Sequence, residues 1–401
     1  MSTYNTLSLR RGKTESLKRF HPWIFSGAIE RLPSNIKEGE IVRVCDHGGN
    51  YVATGHYQRG SIAVRILSFK DIEINHQFWQ QRLREAWFIR QSLGLYNPPL
   101  NDVCRLIHGE GDCLPGLIID FFSETAVVQA HSIGMHLSRA EIAKALTEVC
   151  PVVKHVFYKS EATMPFSGDD APHDDFLIGG TSHNLATENG LKFQIDWLKG
   201  QKTGFFVDQR ENRSLIEKLS KGRNVLNMFC YTGGFSVYAL RGGANLVHSV
   251  DSSAKAIDLA QRNVELNFPE ESSPNTAGHR HTAYAEDAFR FLHHSPADYD
   301  LIVLDPPAFA KHRGALHNAI KGYTRLNALA FEKVKPGGII FTFSCSQAVS
   351  NQQFRLAVFS AAARVGRHVR ILHQLHQPAD HPINIYHPEG EYLKGLVLYV
   401  E

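Results

Sequence analysis

Residues 225–236, Val-Leu-Asn-Met-Phe-Cys-Tyr-Thr-Gly-Gly-Phe-Ser, constrain the fold more than any other stretch of the chain. An apolar run the length of one buried strand breaks at the adjacent Gly233 and Gly234. Apolar residues at helical spacing then follow from Phe235 to Leu240, so the unit reads strand, glycine turn, helix. Glycine suits such a turn because a backbone without Cβ takes positive φ and lets a ligand approach the amino end of the helix closely. The turn lacks the Gly-x-Gly-x-x-Gly of a dinucleotide site, which disfavours NAD and an oxidoreductase. Residues 246–250 read as a second strand ending at Asp251, where a carboxylate can hold a ribose diol. A structural β-α-β turn with a capping aspartate explains these two features equally well.

Two later strand ends separate the readings. Residues 300–304 run into Asp305-Pro306-Pro307, where proline ends the ladder and fixes how the carboxylate is presented. A helix around residues 323–334, a turn at Lys335-Pro336-Gly337-Gly338 and a strand over 339–343 then lead to Ser344-Cys345-Ser346. All four signals fall at the carboxyl ends of strands, where an open parallel α/β sheet gathers its ligands.

Together with Gln201-Lys202-Thr203-Gly204-Phe205-Phe206-Val207-Asp208-Gln209-Arg210, these blocks resemble the class I S-adenosylmethionine-dependent methyltransferases, specifically the large-subunit ribosomal RNA cytosine-5 group. That group joins an RNA-binding PUA domain, a small middle domain and a catalytic domain, and the resemblance covers nearly the whole chain. It implies an α/β fold with a C-terminal Rossmann-like methyltransferase domain, residues 189–401, after a β-rich PUA-like domain, 1–72, and a linker helix with an α+β middle domain, 73–188. It implies S-adenosylmethionine as cofactor, ribosomal RNA as partner and a homodimer. The turn, with Asn227, Phe229, Tyr231, Thr232 and Gly233, and Asp251 are expected to hold the donor. By resemblance Lys202, Asp208 and Arg210 lie in or next to that site. Asp287, at the third strand end, is expected to accept from the adenine amino group, although a lone aspartate before Ala-Phe-Arg is more often a helix cap.

The N-terminal part carries the charge signal. Residues 1–70 hold 11 Lys+Arg against 5 Asp+Glu, so the net +3 of the whole chain leaves −3 for the rest. Short β segments at 6–9, 41–45, 50–57 and 62–67 enclose Arg10, Arg11, Lys13, Lys18 and Arg19, expected to meet RNA phosphates. The interleaved Trp23 and Phe25 are expected to be core. Residues 74–93 carry a helical apolar stripe. Strands at 105–108, 116–122 and 126–130, a helix over 138–149 and a strand over 153–158 follow, with room for one more strand. Segments 167–184 and 270–279 are expected to be irregular.

Six cysteines without a Cys-x-x-Cys pair argue against zinc and disulfides, and the tail histidines His376, His381 and His387 form no ligand pattern, so no metal is expected. No apolar run approaches the roughly 20 residues of a membrane span, and the basic first 20 residues lack a signal-peptide core. Cytoplasm is the expected compartment.

The methyl acceptor decides the chemistry. Carbon 5 of cytosine becomes nucleophilic only after a thiolate adds at carbon 6. Cys345 is the expected nucleophile and Asp305 the partner of cytosine N3, while Cys230 in the cofactor turn is expected to pack. An exocyclic amine is the alternative acceptor for an Asp-Pro-Pro block, but the aromatic residue it needs comes one position late, at Phe309. A noncatalytic RNA-binding protein is the remaining alternative.

Overall fold

The computed structural model describes residues 4–164, 171–272, 279–295, 298–310 and 313–401. Residues 165–170 and 273–278 lie outside the described residues, and they take in 167–170 and 273–278 of the two segments expected to be irregular. The chain forms two compact units. Met1–Gly190, Ile195–Val207 and Ala379–Gly390 make the first; Leu191–Gln194, Asp208–Pro378 and Glu391–Glu401 make the second. This differs from three consecutive domains, because the chain passes between the units five times.

In the first unit a six-stranded sheet runs in the order Trp23–Phe25, Ile62–Ser68, Tyr51–Tyr57, Ile41–Cys45, Asn5–Leu9, Ile29–Arg31. Alternation along these strands buries Leu7, Leu9, Val42, Val44, Val64 and Ile66 on one face. Helix His76–Ser92, capped by Asn75 accepting from the Phe78 amide at 3.2 Å, buries Phe78, Trp79 and Leu83 in the core of a five-stranded sheet. The fifth strand, Asp175–Ile178, falls inside the segment expected to be irregular, and pairs with His155–Tyr158 through Val156, Phe157 and Tyr158.

The second unit is an α/β layered domain. Its elements are α1 (Arg210–Leu219), β1 (Asn224–Met228), α2 (Gly234–Arg241), β2 (Leu246–Asp251), α3 (Ala254–Asn267), β3 (His281–Ala285) and α4 (Ala288–His294). They continue as β4 (Tyr299–Leu304), α5 (Leu316–Lys333), β5 (Val334–Ser344), α6 (Asn351–Val365), β6 (Val369–Leu375) and β7 (Lys394–Val400). The strand order is β3-β2-β1-β4-β5-β7-β6, with β7 alone antiparallel to its neighbours. Near-continuous apolar strands such as Leu301 to Leu304 suit a sheet covered on both faces by helices. The expected turn at residues 335–338 is instead a bulge within β5: Tyr299 pairs with Val334 and Leu301 with Ile339, so the four residues loop out of register. Helix α3 also holds the short strand Leu191–Gln194, because Asn263 and Asn267, one turn apart, accept from the amides of Gln194 and Lys192 at 2.8 Å each.

Among the described residues no helix is long and apolar enough to cross a membrane.

Candidate active site

Register brings the carboxyl ends of β1, β4 and β5 level: Met228 pairs with Leu304, and Leu304 with Thr342. The turn after β1 is built from unusual backbone. Phe229, Tyr231 and Gly233 have φ of 59°, 45° and 75°, and a Cβ on Gly233 would stand 2.9 Å from that of Ala260. Only glycine combines that conformation with that approach. The carboxylate of Asp251, at the end of β2, accepts from the Tyr231 amide at 3.1 Å and from the Ser253 amide at 2.9 Å. Strand end and glycine turn are thereby locked together, with the half-buried carboxylate beside the turn. Such a cradle, closed to a Cβ and bordered by an acceptor for a diol, fits an S-adenosyl ligand.

The turn rests on a buried polar chain. Asn227 Nδ2 donates to Ser236 Oγ at 2.9 Å, Ser236 Oγ lies 2.6 Å from Ser249 Oγ, and Ser249 Oγ lies 2.8 Å from His281 Nε2. Burial pushes His281 down to about 4, which keeps its ring neutral in this chain. Asn227 is fully buried, so its side chain braces the turn from beneath. Thr232 is buried too, and its carbonyl accepts from Asn263 Nδ2 at 2.9 Å. Asp287 caps α4, its Oδ1 accepting from the Arg290 amide at 3.0 Å.

Cys230 packs with Ile257 and Ala260, and burial, with Asp251 adding, pushes its thiol well above 9. Cys345 is half-buried, its sulfur 4.0 Å from the Pro306 carbonyl oxygen. The buried Tyr323 hydroxyl accepts from Ser344 Oγ at 2.9 Å and lies 3.3 Å from Ser346 Oγ, clamping the turn on both sides of the cysteine. Asp305 is half-buried and its Oδ2 accepts from Gln209 Nε2 at 3.0 Å.

Three neighbours were given no role in the sequence reading, although Gln209 stands inside the block Gln201–Arg210. Besides Gln209 these are Tyr392, whose hydroxyl donates to Asp208 Oδ2 at 2.6 Å, and Lys394, whose Nζ donates to the Ser346 carbonyl at 2.7 Å. Lys394 stands opposite Ser344 across β5 and β7. Burial pushes its amine down to about 8, and the Cys345 sulfur opposes that shift by favouring the ammonium. A lysine inside the apolar run Leu393-Lys394-Gly395-Leu396 was the clue available.

Asp208 and Arg210 are buried in the second unit. Lys202 belongs to the first unit, its ammonium over the Phe206 ring at 4.7 Å. Arg10, Arg11, Lys13, Lys18 and Arg19 are all exposed there, with Lys18 paired to Glu15 at 2.8 Å. Phe25 corrects the sequence reading: it is 48% exposed, because strand Trp23–Phe25 lies at the sheet edge and points this ring outward. The basic surplus is not confined to the N-terminal part either, since residues 316–367 hold seven Lys+Arg and one Glu.

Fold and site together define a methyltransferase domain joined to a PUA-like one. Residues 172–391 match the S-adenosylmethionine-dependent methyltransferase family, and residues 7–69 match the PUA-like domain. The chain belongs to the S-adenosylmethionine-dependent methyltransferases, and S-adenosylmethionine is its cofactor. It is similar to the ribosomal RNA large subunit methyltransferase I of Tolumonas auensis, 37% identical over 406 residues and 99% of each chain. The protein of that name from Pseudoalteromonas translucida is 38% identical over 399 residues and 98% of each chain. A solved methyltransferase candidate from Streptococcus mutans shares the fold, with TM-score 0.82 and 21% identity over 98% of this chain and 100% of that chain.

Proposed function

We propose that the protein methylates carbon 5 of a cytosine in large-subunit ribosomal RNA through a covalent adduct on Cys345. The observation that carries the reading is the half-buried Cys345 sulfur beside Pro306, at the strand end next to Asp305 and near a buried amine. When bound, S-adenosylmethionine supplies a methyl on a positively charged sulfur. The chain's own residues must then make the acceptor carbon nucleophilic and hold it in line.

Cys345 attacks as a thiolate, adding at carbon 6 and raising electron density at carbon 5. Lys394 sets a cation near that sulfur, and the attraction that favours the ammonium favours the thiolate equally. Asp305, oriented by Gln209, holds cytosine N3 through the proton that N3 takes up as the thiolate adds at carbon 6. After methyl transfer a base takes the carbon-5 proton, the carbon 5–carbon 6 double bond reforms and the carbon–sulfur bond breaks, releasing Cys345 as the thiolate. The amine alternative is disfavoured because Phe309, the ring it needs for stacking on a base, packs on Tyr323 at 4.7 Å and over Gly322. The names of the relatives support ribosomal RNA as the substrate, and the exposed cations of residues 10–19 support a phosphate backbone.

Nucleoside mass analysis of large-subunit RNA from cells with and without the protein tests the reading. One 5-methylcytosine should vanish without it. Loss of an amine-methylated base instead would overturn it.

A further inference from the structure

We propose that Phe20, Phe25 and Tyr386 form a platform on which unpaired bases of the RNA strand stack, assembled from both ends of the chain. The proposal rests on RNA being the substrate, and it assigns a surface and a kind of contact that the basic residues alone do not.

Three rings are about half open to solvent where a core would hide them: Phe20 at 49%, Phe25 at 48% and Tyr386 at 48%. Ile385 beside them is 85% exposed. They are contiguous within the first unit. Tyr386 lies 5.3 Å from Phe20, the next residue, His387, lies 4.3 Å from Trp23, and Trp23 lies 6.3 Å from Phe25.

Phe20 has φ of 59°, a left-handed conformation that is costly for a bulky side chain and is retained where the surroundings enforce it. Two backbone bonds enforce it here, from the Phe20 amide to the Leu17 carbonyl at 2.9 Å and from the His21 amide to Ser16 at 3.0 Å. The strained turn therefore holds the ring outward just after the short helix Glu15–Lys18.

The second half of the platform is equally fixed. The fully buried Arg90 donates to the Asp380 carbonyl at 2.9 Å, and Asn384 Nδ2 donates to the Glu110 carbonyl at 3.2 Å. A segment matched to the methyltransferase family is thus built into the unit that carries the PUA-like sheet, with Tyr386 at its surface.

Charge decides the occupant. Arg11, Lys13, Lys18 and Arg19 are exposed in the segment that leads to Phe20, and Lys13 lines a cleft of about 340 Å³ with Ser16, Trp23 and Phe25. Rings beside cations suit a single strand, whose bases offer free faces and whose backbone offers phosphates. A duplex hides those faces.

The test is binding of full-length protein to a fluorescein-labelled single-stranded RNA and to a duplex of equal length, followed by anisotropy. Phe20→Ala and Tyr386→Ala should each weaken single-strand binding by about 5-fold to 100-fold and leave the salt slope unchanged, whereas Lys13→Ala should flatten the slope. Tyr386→Trp should restore affinity, and S-adenosylmethionine binding should not change in any variant. Wild-type affinity in both alanine variants, or an equal loss on the duplex, would overturn the platform. Sedimentation in which Tyr386→Ala turns a dimer into monomers would also overturn it, placing a second copy of the chain on the rings. A wild-type protein that binds no RNA would remove the substrate reading as well.

Discussion

Cys230 and Cys345 end up in comparable places, just past the carboxyl ends of β1 and β5 in one sheet, yet the chain treats them as different substances. Cys230 is packed under the glycine turn, and burial pushes its thiol upward until it behaves as a small apolar side chain. Cys345 is left half-open beside Pro306, with its flanking serines clamped by Tyr323 and a buried amine nearby. The difference teaches that strand-end topology creates positions for chemistry, and the solvation of each position decides which one reacts.

The largest expected effect breaks this pair apart. Cys345→Ala should lower methyl transfer to RNA by at least about a thousandfold, as loss of a covalent nucleophile does. Cys230→Ala should leave transfer within a few-fold of wild type. Comparable losses in a radiolabelled methyl-transfer assay would erase the distinction between the two thiols.

A smaller effect sharpens the role of the first turn. Asp251→Ala should weaken S-adenosylmethionine binding by about 1.5 to 3 kcal/mol, the scale of lost hydrogen bonds to a charged acceptor. Part of that loss comes through the Tyr231 amide that the carboxylate now holds. Calorimetry should show the loss in Asp251→Ala and not in Cys345→Ala; equal affinities for Asp251→Ala and wild type would take the carboxylate out of the site.

Much of this layout was legible because it is written in local signals. The turn at Gly233 and the proline stop after Asp305 each follow from residues within a few positions, while Asp287, expected at the adenine, caps α4. Lys394 and Tyr392 were not legible for the opposite reason, and Gln209, though inside the block Gln201–Arg210, meets Asp305 across 96 positions. Lys394 reaches Ser346 across 48 positions, and Tyr392 reaches Asp208 across 184, through pairing of β7 with β5 and through packing that no short window contains. The outward Phe25 escaped for a related reason, since an aromatic in a strand reads as core until the sheet edge is known. The same holds for Ala379–Gly390, which joins the first unit by way of the buried Arg90.

The central claim is that Cys345 forms the covalent bond to cytosine, and a trapped intermediate tests it most directly. A large-subunit RNA transcript made with 5-fluorocytidine should accept one methyl and stay joined to the protein, because fluorine cannot leave as a proton. Peptide mapping by mass spectrometry should then find the nucleotide on the peptide containing Cys345, and Cys345→Ala should yield no adduct while still binding S-adenosylmethionine. An adduct on Cys230, or 5-methylcytosine formed by Cys345→Ala, would contradict the assignment.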